Sequence, residues 1–598
     1  MIPQTQSLEI GALLEGYRCR HYTPRDVVAG VLGRIEGQPD HNSWISRMSP
    51  QQLEPLLAAL DDESPESRPL YGIPFAIKDN INLAGLPTTA GCAEYAYQPD
   101  RSAFVVQQLV DAGAIPIGKT NLDQFATGLT GTRSPYGCAK NSFDPSCISG
   151  GSSAGSAVCV AMGQVSFALG TDTAGSGRVP AAFNNLIGLK PSRGLLSTSG
   201  VVPACRTLDC VSIFALTSGD AQRVLEVTEL FDSLDAWARP APAAPPFFPA
   251  TGFRFGIPRN EQLAFFANAE SEHLFRAAVV RLEELGGESV VIDFEPFLEA
   301  ARLLYEGPWV AERYAAIEDF IEAQAGALLP VTRQIISGGA TPTAVAAFKA
   351  RYRLAECRRL TESFWKQLDL ILTPTAGTIY RIDEAQAEPV QLNSNLGYYT
   401  NFMNLLDLAA VAAPAGFQSD GLPFGITLFA PAFTDLSLLK LADRFHCSQL
   451  LRLGATTHPV PQVTCSIDYA PPGSVPIAVC GAHLSGLPLN HQLTERGARL
   501  LETTRTADCY RLYALAGGPP QRPGLVRSDS GGAIEVEVWA VPADTVGSFL
   551  QGIPAPLGLG KLELADSREV NGFICESHGV DKAEDITRFG GWRAYLAQ

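Results

Sequence analysis

The chain has 598 residues, 46% of them apolar and 18% charged, which calls for more than one hydrophobic core and excludes a disordered or fibrous polymer. Forty-five Lys and Arg against sixty-two Asp and Glu leave a formal charge of −17, a field that repels nucleic acid and anionic membranes. Binding of an anion therefore falls to a local basic pocket.

The opening residues lack a basic stretch followed by an apolar core, so no signal peptide is expected, and no apolar run is long enough to span a bilayer. Residues 6–36 carry two helical patterns, the second started by Thr23 as cap and Pro24 in the first turn. From Tyr71 onward, short apolar runs (IPFAIK, AIPIGK, SFALGT) alternate with helical stretches such as SAFVVQQLVDAG, the rhythm of an α/β fold with helices packed on a sheet. Residues 235–250, rich in Pro and Ala, read as an exposed connection. Helices are expected at 269–286 and 297–325, and buried strands at ILTPTAG and GITLFAP. Clustered prolines over 455–476 set the expected boundary: a large α/β domain over 1–455, a linker over 456–475 and a small α+β module over 476–598, strand-rich with a helix at 492–504.

Thirteen cysteines without a CxxC pair suit reduced thiols in a cytoplasmic protein, and eight histidines outside any HExxH string give no support for a metal. Two pattern matches mislead. Gly113 to Thr120 satisfies the P-loop string, but its interior reads as a buried strand, and Pro116 has no N–H to offer a phosphate. Gly151-Ser152-Ser153-Ala154-Gly155 satisfies the nucleophile-elbow string, but a turn-like segment precedes it, and His273, His446 and His458 lie in no supporting motif.

The segment from Gly150 to Pro180 carries two serine-bearing glycine turns, whose N–H groups can approach a reacting carbonyl while the hydroxyls attack or relay a proton. Lys78 ends the apolar run YGIPFAIK, where burial lowers the pKa of an amine and makes it a proton acceptor. Ser153 reads as a turn residue, Asp172 and Arg178 as a local ion pair, and Cys147 and Cys159 as small apolar residues.

Residues 73–80 and 150–191, with IGKTNLDQFATGLTGTRSPYG and VVPACRTLDCVS in the same order, resemble the amidase signature family over most of residues 20–450. The resemblance implies a mixed central sheet covered by helices, Ser176 as nucleophile, Ser152 as bridging serine and Lys78 as ultimate base, with no cofactor. It also implies an oxyanion hole from the N–H groups of Thr173, Ala174, Gly175 and Ser176.

TDTAGSGR, in place of the family's commoner TDTGGSIR, and the module after residue 475 resemble the allophanate hydrolase branch of that family. That likeness assigns Tyr305 and Arg313 to a small anionic substrate, allophanate. The two lie eight residues apart, close to two turns of one helix, and a guanidinium suits a carboxylate. It also implies a functional link to a separate urea carboxylase or a biuret-producing pathway. The module's opening, AVCGAHLSGLPLNHQL, resembles glutamylcyclotransferase-like folds, and His483 within it is a candidate for helping the first product decarboxylate. Dimerisation is the competing role for the module, and a homodimer is expected. Another amidase signature amidohydrolase, an amidotransferase subunit and a non-catalytic scaffold stay open as alternatives.

Overall fold

The computed structural model describes residues 6–242, 245–246, 252–449, 451–462, 473–565 and 568–598. The chain divides into two compact units, one of Met1–Ala241 with Arg254–Cys465, the other of Pro242–Phe253 with Ser466–Gln598. The connection expected over 235–250 lies outside the described residues at 243–244 and 247–250, and that over 455–476 lies outside them at 463–472.

In the first unit one sheet gathers eleven strands: β1 (Trp44–Arg47), β2 (Pro74–Lys78), β3 (Ile115–Thr120), β4 (Phe167–Asp172), β5 (Ile187–Lys190), β6 (Cys210–Ala215), β7 (Arg254–Pro258), β8 (Glu288–Ile292), β9 (Leu370–Pro374), β10 (Leu408–Phe417) and β11 (Pro423–Pro431). Their order is β1-β3-β2-β4-β6-β5-β10-β11-β9-β7-β8. The sheet is mixed, since β2 runs parallel to β3 and β4 while β4–β6 and β10–β11 are antiparallel. Strands β2, β3, β4, β5, β6 and β9 are buried at every residue, so they read in the sequence as continuous rather than alternating apolar runs. The Thr23 cap forms as expected, with a capping box closed by Asp26.

The P-loop string lies largely within β3, where Lys119 is buried and ion-paired to Asp79 at 3.0 Å. Its ammonium is committed to a carboxylate and its backbone to the sheet, so nothing there can wrap a phosphate.

The helix expected over 297–325 is broken into Glu295–Glu306, Val310–Ala316 and Glu318–Gln324. Gly307-Pro308 interrupts the first pair, because proline supplies no N–H and pushes the preceding residue out of the helical region.

The second unit holds strands β12 (Ser474–Val479), β13 (Arg499–Arg505), β14 (Tyr510–Ala514), β15 (Pro523–Arg527), β16 (Glu535–Pro542), β17 (Leu557–Glu563), β18 (Glu569–Cys575) and β19 (Glu584–Asp585). They form a five-stranded sheet in the order β13-β16-β12-β18-β17 and a three-stranded sheet in the order β15-β14-β19. The helix expected at 492–504 is corrected: only His491–Thr494 is helical, 495–497 form a turn, and β13 takes over from Arg499. Gly497, at φ +73, ends the helical turn, and the Thr503-Thr504 pair favours the extended strand that follows.

Candidate active site

Lys78 is the last residue of β2 and Thr171 the next-to-last of β4. The register pairs Phe75 with Phe167 and Ile77 with Leu169, and the two phenylalanine rings stack at 5.1 Å, so the aromatic pair helps fix which residues emerge together at the strand ends. Lys78 is fully buried, with Nζ 2.7 Å from Ser152 Oγ and 2.7 Å from Thr171 Oγ1. Burial lowers its pKa to about 7, against the opposing pull of Asp123, Asp209 and Asp172. Near neutrality a large fraction of this amine is therefore uncharged and able to accept a proton.

Ser152 Oγ lies 2.9 Å from Ser176 Oγ, so amine and two hydroxyls stand in single file. The charged amine has no lone pair and donates to Ser152; once neutral it gains a lone pair and can accept there while still donating to Thr171, and the hydroxyl rotors can turn so that Ser176 donates to Ser152 and Ser152 to Lys78. Position 151 has to be glycine, since a Cβ there would sit 2.1 Å from Asp123 Oδ2 and 2.6 Å from the Gly131 nitrogen. The Gly151–Ser152 peptide is cis. Buried Asp123 accepts from the N–H groups of Gly131 (3.0 Å) and Arg133 (2.8 Å), tying the 131–133 loop to the base of the serine turn. Ser153 is spent on the Thr171 backbone, its Oγ 3.1 Å from the carbonyl oxygen and 3.3 Å from the nitrogen.

The turn carrying Ser176 is organised by Asp172, which takes the Arg178 guanidinium at 2.8 and 2.9 Å and the N–H groups of Gly175 (2.7 Å) and Gly177 (3.0 Å). Burial works against a charged carboxylate here, yet Arg178 holds the Asp172 pKa below its ordinary value. Gly175 sits at φ +138, where a Cβ would meet Thr400 Oγ1 at 2.4 Å. Because its N–H is committed to Asp172, the oxyanion donors expected at 173–176 narrow: among the described residues no hydrogen bond occupies the N–H groups of Thr173, Ala174 or Ser176. The Thr173 hydroxyl is held by buried Asp209 at 2.5 Å.

Tyr305 and Arg313 fall on two helices rather than one, and the break brings them together, with Arg313 Nη2 3.4 Å from Tyr305 Oη and the guanidinium 5.6 Å from the ring centre. Arg313 is 3% exposed and donates to the Ala126 carbonyl at 3.3 Å and to Thr127 Oγ1 at 3.2 Å. Among the described residues no carboxylate forms a salt bridge with it. The sequence reading missed Thr171, Asp123 and Asp209; TNLDQ and TLDC hold two of them, but only strand pairing shows that Thr171 meets Lys78.

In the second unit His483 lies in a cavity of about 40 Å³ with Cys480, Gln492 and Arg522. One ring nitrogen is 3.0 Å from Gln492 Oε1, and the ring stacks on Phe573. Burial lowers its pKa, which favours the neutral imidazole.

Residues 26–439 match the amidase family. The chain belongs to that family. Residues 475–597 match the allophanate hydrolase C-terminal domain. The urea amidolyase of Saccharomyces cerevisiae is 46% identical over 581 residues, 93% of this chain and 31% of that protein, and the urea amidolyase of Lachancea kluyveri is 43% identical, over 96% of this chain and 32% of its own length. The chain thus spans about a third of the length of these two urea amidolyases. The solved Kluyveromyces lactis allophanate hydrolase is 43% identical with a TM-score of 0.80, covering 98% of both chains. The amidase signature fold is shared with that structure.

Proposed function

We propose that this amidase is an allophanate hydrolase that acts through Lys78, Ser152 and Ser176. Neutral Lys78 takes the proton of Ser152 as Ser152 takes that of Ser176, whose oxygen attacks the terminal amide carbon of allophanate. The N–H groups of Thr173, Ala174 and Ser176 receive the oxyanion. Ser152 returns a proton to the leaving nitrogen, and ammonia departs. Water then attacks the acyl-enzyme by the same proton route, releasing N-carboxycarbamate and restoring Ser176. Loss of carbon dioxide gives carbamate, which yields a second ammonia and a second carbon dioxide. His483 in the second unit assists this decarboxylation.

The observation that carries the substrate assignment is Arg313, a buried guanidinium that acts electrostatically on Lys78 and, among the described residues, has no carboxylate in salt-bridge contact, Asp209 and Glu312 reaching it only at longer range. A small anionic amide completes it, and Tyr305 backs the same subsite. The likeness to the Kluyveromyces lactis allophanate hydrolase over 98% of both chains supports the reading. The twelve described cysteines are all free, which suits reduced thiols in the proposed cytoplasmic enzyme. No described helix is long and apolar enough to cross a membrane. Its substrate comes from carboxylation of urea or from hydrolysis of biuret.

The test is ammonia release from allophanate. The wild type is expected to yield two ammonia per allophanate consumed, and Ser176→Ala to yield none above background while keeping the wild-type circular dichroism and melting profile. Turnover of glutamine or neutral amides with no turnover of allophanate would move the assignment to another amidase.

A further inference from the structure

We propose that the first unit holds a second anion site, a cleft behind the serine turn that binds a small molecule carrying two or more phosphate or carboxylate groups. The cleft has a volume of about 960 Å³ and is lined by five arginines, Arg193, Arg206, Arg239, Arg351 and Arg358. Such a volume falls in the range of small-molecule sites and exceeds what a single small monoanion fills.

Charge accounting separates these arginines. Arg239 is clamped on Asp407 at 2.8 and 2.9 Å, and Arg193 reaches the same carboxylate at 3.7 Å. Among the described residues no carboxylate pairs with Arg206, Arg351 or Arg358, and Arg358 donates only to the Leu405 carbonyl. The two carboxylates in the lining are already occupied. Asp209 accepts from Thr173 and from the Ala204 and Cys205 amides, and Glu312 accepts from the Thr207 amide at 2.7 Å and its hydroxyl at 2.8 Å.

Three guanidiniums without carboxylate partners thus share one concave surface of a chain whose formal charge is −17. In so acidic a protein this arrangement favours a multivalent anion and disfavours a cation. Trp237 and Trp309 add flat apolar surface against which the body of such a ligand can pack. The cleft is not the catalytic pocket: Ala174, Cys205, Leu208, Leu304 and Leu405 form a buried apolar cluster beside the serine turn, and none of Lys78, Ser152 or Ser176 lines the cleft.

The experiment titrates the full chain at low ionic strength with pyrophosphate and, separately, citrate, following tryptophan fluorescence and calorimetric heat, with sodium chloride at matched ionic strength as control. At least one of the two anions is expected to bind, and which one separates a phosphate from a carboxylate ligand. Each of Arg206→Ala and Arg351→Ala should weaken binding about tenfold and the pair about a hundredfold, as loss of charge-assisted hydrogen bonds predicts. Arg313→Ala should leave the affinity unchanged, and the Arg206→Ala and Arg351→Ala proteins should keep wild-type ammonia release, which shows that they fold. Heat no greater than the chloride control, affinity that survives in the double variant, or loss of binding in Arg313→Ala would each overturn the second site. None of these results depends on which amide the catalytic serine hydrolyses.

Discussion

Replacing Lys78 with methionine separates what its amine does for catalysis from what its burial costs the fold. The side chain is fully buried and its pKa falls from an ordinary 10.5 to about 7. Between those values the unfolded chain carries a proton that the folded one lacks, so wild-type stability rises with pH across that window, by about 1.4 kcal/mol per unit for this group. Well below pH 7 both states are protonated and the full net penalty of burying the ammonium applies, on the order of 5 kcal/mol. Lys78→Met removes this dependence. Urea denaturation at pH 7 and pH 9 is expected to show the wild type gaining about 2 kcal/mol on the variant between the two, since the folded amine is still half protonated at pH 7. Ammonia release should fall by about a hundred- to ten-thousand-fold in the variant, and wild-type kcat/KM should rise with pH through a midpoint near 7, as the proposed role of the neutral amine as base requires. A stability difference that stays flat from pH 7 to 9, or a variant that turns over at the wild-type rate, would refute the assignment of a neutral buried base.

Arg313→Ala should lower kcat/KM for allophanate by roughly ten- to a hundredfold or more, the worth of a charged hydrogen-bonded contact, while sparing any activity on uncharged amides; steady-state assays on both substrates check it. Asp172→Asn leaves the Arg178 guanidinium buried without its counter-charge and is expected to cost about 3–5 kcal/mol, read by urea denaturation, together with a loss of turnover as the Ser176 turn loosens. Arg178→Met in the same background should recover part of that stability without restoring the rate, since it removes the stranded charge but not the need for an ordered turn.

Continuous apolar runs, glycine-serine turns and caps depend on local chemistry, and they were legible in the chain itself: the buried strands around 74, 115 and 167, the Thr23 cap, and the amidase signature all follow from neighbours within a few residues. The segment at 492–504 was misread because a single Gly497 outweighs the helical spacing around it, and that decision rests on pairing with a distant strand, β16. The file of Lys78, Ser152 and Ser176 was named from motif resemblance, but its distances come from tertiary packing that brings the end of β2, the turn before the helix Ala154–Ala161 and the turn after β4 to one point. The parallel register of β2 and β4 delivers Thr171 to the amine, and nothing local to GTDTAGS announces it. Tyr305 and Arg313 meet for a reason opposite to the one their spacing suggested, because the chain breaks between them instead of continuing as one helix. Residue types and short spacings thus determined which groups can react. Only long-range packing decided which N–H groups remain free for an oxyanion, since the commitment of Gly175 to Asp172 depends on how a buried carboxylate is surrounded in space.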